Sequence, residues 1–141
     1  MPLRYSDHLA KCPDQPCPCT QAFVPRECAV FRFLGTPADE ERDFTPIAFR
    51  GGHRPRKNLP CDWFALSLFS SLELARKKYR SLAARIDAEA RFGTHIGRLD
   101  VGFADGRISE PGPDGHMGLH PEIEARFAHR VTAYYPAMER E

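Results

Sequence analysis

The sequence lacks a long hydrophobic run, an excess of charge of either sign, a leader-like apolar stretch and a paired cysteine motif. Its longest apolar segment, Trp63 to Phe69, is interrupted by Ser67 and falls far short of the ~20 residues that span a bilayer. That excludes a membrane-crossing helix. Twenty Lys and Arg stand against nineteen Asp and Glu, for a net charge of +1. Nucleic-acid affinity comes mainly from clustered basic residues that neutralise phosphate, so this balance argues against a dedicated nucleic-acid binder. Met1 to Lys11 carries Arg4, Asp7, His8 and Lys11 without the apolar core of a signal peptide, and the expected location is cytoplasmic. The five cysteines are odd in number, which fits free thiols or metal ligands better than a disulfide framework.

What is present is enough for one domain. A chain of 141 residues buries roughly two-thirds of its unfolded surface and needs no staples. Residues 1–28 form a Pro/Cys-rich lead, and residues 29–141 form a single globular α+β domain. Ala29 to Leu34 and Trp63 to Phe69 are expected as strands, the second buried on both faces. Ser70-Ser71-Leu72-Glu73 has the spacing of a capping box, with Ser70 as the cap. Ala75, Tyr79, Leu82, Ala83 and Ile86 then recur at helical spacing, predicting one long central helix over about 71–91 with Gly93 as its stop. Alternation at Leu99, Val101 and Phe103 predicts another strand, and Asp105-Gly106 a hairpin turn. Residues 110–118 are expected as a loop. Pro121 suits the first position of a short C-terminal helix reaching Phe127, and Val131 to Tyr135 alternates as a last strand. The expected fold is a small, mostly antiparallel sheet around that long helix.

Four groups of residues could carry chemistry. Cys12, Cys17 and Cys19, with His8 upstream, supply the soft ligands zinc prefers, although no second cysteine pair completes a familiar set. The alternative is a lead whose thiols are buried or incidental. Arg50, Arg54, Arg56 and Lys57 crowd one loop, where guanidinium forks can hold phosphate; a solvated surface loop is the other reading. His116 follows a glycine-rich loop and can act as acid, base or hydrogen-bond donor, or cap a turn. Arg32 and Ser67 interrupt the two most apolar strands. A buried guanidinium or hydroxyl must be satisfied or must face a cleft.

Residues 64 to 79, FALSLFSSLELARKKY, resemble a segment of ADP-ribosyltransferase-like folds, in which a strand runs directly into a helix beginning S-x-E-x-A-x-x-Y. HIGRLDVGFADG, residues 95 to 106, resembles the next strand of such a fold. The resemblance covers about half of the chain. It implies a transferase-like domain, active or degenerate, that binds NAD or a related nucleotide. Arg32 would contact the NAD phosphates, with Arg54 and Arg56 as further cofactor-binding candidates. Ser67 would hold the nicotinamide side. Glu122 or Glu124, in an E-x-E of the later chain, would orient the attacking hydroxyl, with His116 as an alternative polar group. A different class also fits the sequence: a non-enzymatic interaction module, zinc-stabilised or not, that meets a protein partner through the basic loop or the cysteine lead.

Overall fold

The pairing of β2 (Cys28–Leu34) with β4 (His95–Val101) sets the frame, since all seven residues of each strand are in antiparallel register, from Cys28↔Val101 to Leu34↔His95. Alternation along both strands divides their side chains between two faces. Val30, Leu34, Leu99 and Val101 join a core on one face, while Phe31, Phe33 and Ile96 join a second core on the other. This computed structural model describes residues 1–35, 40–50 and 58–138.

Five further strands complete one antiparallel sheet: β1 (Phe23–Val24), β3 (Leu66–Phe69), β5 (Gly106–Ser109), β6 (His116–Pro121) and β7 (Ala133–Pro136). The order across it is β1-β5-β6-β3-β2-β4-β7. Phe44, from the 3₁₀ turn Glu41–Phe44, and Ala125 and Phe127, from the segment after β6, cover the first core. The second core is covered by α2 (Leu72–Ala83), through Ala75 and Tyr79, and by α3 (Ala88–Phe92), through Ala88. The N-terminal lead, including the single-turn helix α1 (Ser6–Leu9), makes a third cluster in which Leu3, Leu9 and Cys12 pack with Cys61 and Phe64. Among the described residues no helix is long and apolar enough to cross a membrane.

The fold is α+β, but it does not have one long central helix. The segment 71–91 breaks after Ala83 because Asp87 accepts a hydrogen bond from Ala90 N at 3.2 Å and caps a second, five-residue helix. A carboxylate near the backbone offers a turn that competes with helix continuation. Gly93 does end α3, at φ 84°, where a Cβ would collide with the Leu34 carbonyl. The expected C-terminal helix is also absent. Pro121 ends β6 opposite Gly106, and Glu122 to Ala125 turn back. Pro has no N–H to give a ladder, and a strand end tolerates that loss. Asp105-Gly106 is not a hairpin turn either, because β5 pairs with β1 and β6 instead of returning along β4. The buried Asp105 carboxylate accepts from Gly102 N and pairs with Arg130, both at 2.7 Å. The Trp63–Phe69 run is shorter as a strand than expected, since Cys61–Phe64 forms a 3₁₀ turn before β3.

The cap of α2 is Ser71, one residue later than the sequence spacing indicated. Its hydroxyl accepts from Leu74 N at 3.1 Å, whereas Ser70 N is committed to Gly115 O at 2.9 Å. Ser71→Ala is expected to destabilise the protein by about 1 kcal/mol in urea unfolding, and Ser70→Ala by less. Equal effects of the two changes would contradict the assignment.

Candidate functional site

β2 and β3 touch in register at one pair only, Phe31↔Phe69. Beyond that pair the two strands part, and the sheet splits where Arg32 and Ser67 lie. Arg32 fills the split. Its Nη1 donates to Ser67 O at 3.0 Å, and Nη2 makes longer contacts to Asp43 O at 3.4 Å and Thr45 O at 3.5 Å. The residue is 2% exposed, and its Nε has no partner among the described residues. These acceptors are neutral carbonyls, which satisfy donors but do not neutralise the charge. Burial pushes the guanidinium pKa down to about 9; repulsion from Arg50 adds to this and Asp43 opposes it. Arg32 therefore remains a cation at neutral pH, in a place where an unpaired cation is costly.

The split opens into a cleft of about 560 Å³ that Arg32 and Ser67 line together with His116, a volume usual for small-molecule sites. Its apolar wall is aromatic. The Phe33 ring lies 5.1 Å from Phe69 and 5.7 Å from Phe92, centroid to centroid. Arg50 stands over Phe92 with its Cζ 5.9 Å from the ring centre, and Lys78 of α2 adds a third cation. Asp62 and Asp114 are the carboxylates of the cleft.

The Ser67 hydroxyl and His116 Nε2 are 2.7 Å apart. Strand register produces this contact. Ser67 lies opposite Gly118 and Phe69 opposite His116, so the serine and the histidine occupy diagonal positions on one face. Gly118 has no side chain to stand between them, and a Cβ there would press against Ala65 at 3.3 Å. The imidazole leans edge-on against Phe69, with ring centroids 5.5 Å apart. Asp114 Oδ1 holds the strand entry by accepting from His116 N at 3.1 Å. Desolvation lowers the His116 pKa, Asp114 and Asp62 pull it back up, and Lys78 again lowers it. A neutral imidazole can accept the serine proton, with its own hydrogen on Nδ1.

Arg32, Ser67 and His116 thus converge. Glu122 and Glu124 do not: they follow the far end of β6, where Glu122 Oε2 accepts from Glu124 N at 2.7 Å, and they are absent from the cleft lining. The segment is a turn after a strand instead of the expected helix, and Glu122 bridges to Leu3. Arg54 and Arg56 lie outside the described residues, although Arg50 of the same basic loop is in the cleft.

The cysteines do not assemble as zinc ligands. Cys17 is bonded to Cys61 in a disulfide, Cys12 is buried with its thiol on His8 O, and Cys19 is a separate free thiol. Among the described residues no group of three or more His, Cys, Asp or Glu side chains is placed to hold a metal ion. Sequence reasoning missed Asp62, Asp114 and Lys78 because they lie on three separate segments that only folding brings together. The sequence points to His116 and His120 together as loop histidines flanking Met117-Gly118-Leu119; both instead lie on β6, where the alternation His116, Gly118, His120 against Met117, Leu119 is a strand pattern.

Fold and site together define an α+β protein with a cationic, aromatic-walled cleft at a split in an antiparallel sheet. Comparison with protein-family models, with curated proteins and with solved structures gave no match.

Proposed function

We propose that the cleft between β2 and β3 binds a phosphorylated nucleotide, NAD foremost, and that the domain is ADP-ribosyltransferase-like. The observation that carries this reading is Arg32, a buried cation with no carboxylate on its guanidinium among the described residues. Its Nε, without a partner among the described residues, and the neighbouring Arg50 favour an anionic ligand. A diphosphate matches two guanidinium forks. The Phe33, Phe69 and Phe92 rings offer a flat apolar surface to a base or a nicotinamide, and Ser67 with His116 forms the polar end. The carboxylate role that the resemblance gave to Glu122 or Glu124 passes in this reading to Asp62 or Asp114. The Cys17–Cys61 disulfide supports an oxidising compartment over the cytoplasm.

NAD or ADP at a hundred times its dissociation constant should stabilise the protein by about 2.7 kcal/mol, seen as a rise in Tm. Arg50→Ala should remove most of that rise while leaving the ligand-free Tm in place, because Arg50 is exposed. Arg32→Lys should weaken it too, since an ammonium lacks the fork. If neither nucleotide at millimolar concentration moves the Tm, the reading fails and the interaction module takes its place.

A further inference from the structure

We propose that Ser67 is a nucleophile, activated by His116, which attacks phosphorus in a phosphoester held in the β2–β3 cleft. A hydroxyl becomes a useful nucleophile when a base in hydrogen-bond reach takes its proton in the transition state. That geometry exists here at 2.7 Å, between side chains from two adjacent strands. Most of β3 is buried, yet Ser67 is its one exposed residue and opens onto the cleft. A serine satisfying a core need would instead be turned inward. The register that leaves Gly118 opposite Ser67 keeps the approach to Oγ free of a facing side chain.

As Oγ bonds to phosphorus, its proton passes to His116 Nε2. The bond from phosphorus to the leaving oxygen breaks, its electron pair stays on that oxygen, and His116 returns the proton there. Water then attacks the phosphorylated serine, giving a proton to His116, and Ser67 recovers its hydroxyl as it leaves. Arg32 and Arg50, lining the same cleft, bring positive charge to the phosphoryl oxygens. The phosphoester class depends on the nucleotide reading above; the nucleophile depends on the Ser67–His116 geometry alone.

A fluorophosphonate probe tests the nucleophile, because its phosphorus loses fluoride to an activated serine. Intact-mass and peptide analysis should find one adduct, on Ser67, absent from Ser67→Ala. His116→Gln keeps a hydrogen-bonding group beside Oγ but takes no proton, and should slow labelling at least about 100-fold. No adduct on Ser67, or equal labelling in His116→Gln, would overturn the proposal. The wild-type chain should also release p-nitrophenolate from bis(p-nitrophenyl) phosphate, and Ser67→Ala should not. Release from p-nitrophenyl acetate alone would move the chemistry to acyl groups and overturn the phosphoester assignment. A labelled Ser67 without any nucleotide-induced rise in Tm defeats the nucleotide reading and keeps the nucleophile, and the opposite pair of results does the reverse.

Discussion

Replacing Cys17 and Cys61 together with serine is expected to lower the stability of the protein by about 4 kcal/mol. The bridge spans 44 residues of sequence, and cross-linking a loop of that length removes considerable freedom from the unfolded chain. It adds a covalent tie to a junction where Asp14 Oδ1 accepts from Cys61 N at 3.0 Å and the His8 ring stacks on Phe64. Cys17 belongs to the lead, and Cys61 begins the turn that carries Asp62 and delivers the chain into β3. The packing around it comes from a small cluster, Leu3, Leu9, Cys12, Ala48 and Phe64, so loss of the bridge loosens the lead before the sheet. In urea unfolding the double variant should show a lower midpoint, and the wild-type chain in reductant should match it. An unchanged midpoint in both cases would mean that the lead is held by packing alone.

The second large effect concerns His120 and acid. This residue is 1% exposed, with Nε2 3.7 Å from Cys61 Sγ, the edge of Phe23 against its ring at 5.0 Å, and no partner for Nδ1 among the described residues. The charged residue opposite it, Arg107 on β5, donates instead to Phe23 O. Burial pushes the His120 pKa from 6.5 down to about 4. The unfolded chain therefore takes up a proton as pH falls through about 6.5, while the native chain refuses it until about 4. The contribution of neutral His120 is complete above pH 6.5, declines between 6.5 and 4, and is gone below both values. The loss approaches about 3 kcal/mol, from the pKa difference at 1.36 kcal/mol per unit. His120→Phe should flatten the stability curve between pH 4 and 6.5 without removing the acid sensitivity due to carboxylates. If the variant and the wild type keep parallel curves, the histidine is charged in the native state and its burial has another explanation.

These two effects come from the same corner of the molecule, where the lead lies beside β6. Neither was readable from spacing. Cys17 and Cys61 are remote in sequence, and an odd number of cysteines pointed to free thiols or metal ligands. A disulfide depends on two Cα atoms coming within reach, here 5.7 Å, and this distance is a property of the folded chain. The burial of His120 was hidden for a similar reason: residues 110–118 read as a loop and Pro121 as a helix start, so the spacing gave no sign of β6.

The catalytic candidates divide along the same line. Arg32 and Ser67 were recognisable because each breaks an apolar run, and a polar residue in such a run must have a purpose or a partner. His116 was recognisable from its loop. Glu122 and Glu124 drew attention as a motif but lie outside the cleft, whereas Asp62 and Asp114, each alone in sequence, line it. The helical segment shows a milder form of the problem. Its apolar period and its Gly93 stop were both legible, but the period runs smoothly through the break at Asp87, where a side-chain cap intervenes.

By itself the sequence determined the class of the domain and the places of β2, β3, α2 and β4, because local periodicity dictates which face each segment must bury. It also marked Arg32, Ser67 and His116 as polar groups in need of an explanation. The tertiary structure alone decided that β2 and β3 separate after one pair, that His116 leans over Gly118 to reach Ser67, and that Cys17 meets Cys61. Each of these is a contact between segments far apart in the chain. Hydrophobic periodicity specifies faces, but it carries no information about which strand will lie beside which, or where a sheet will open.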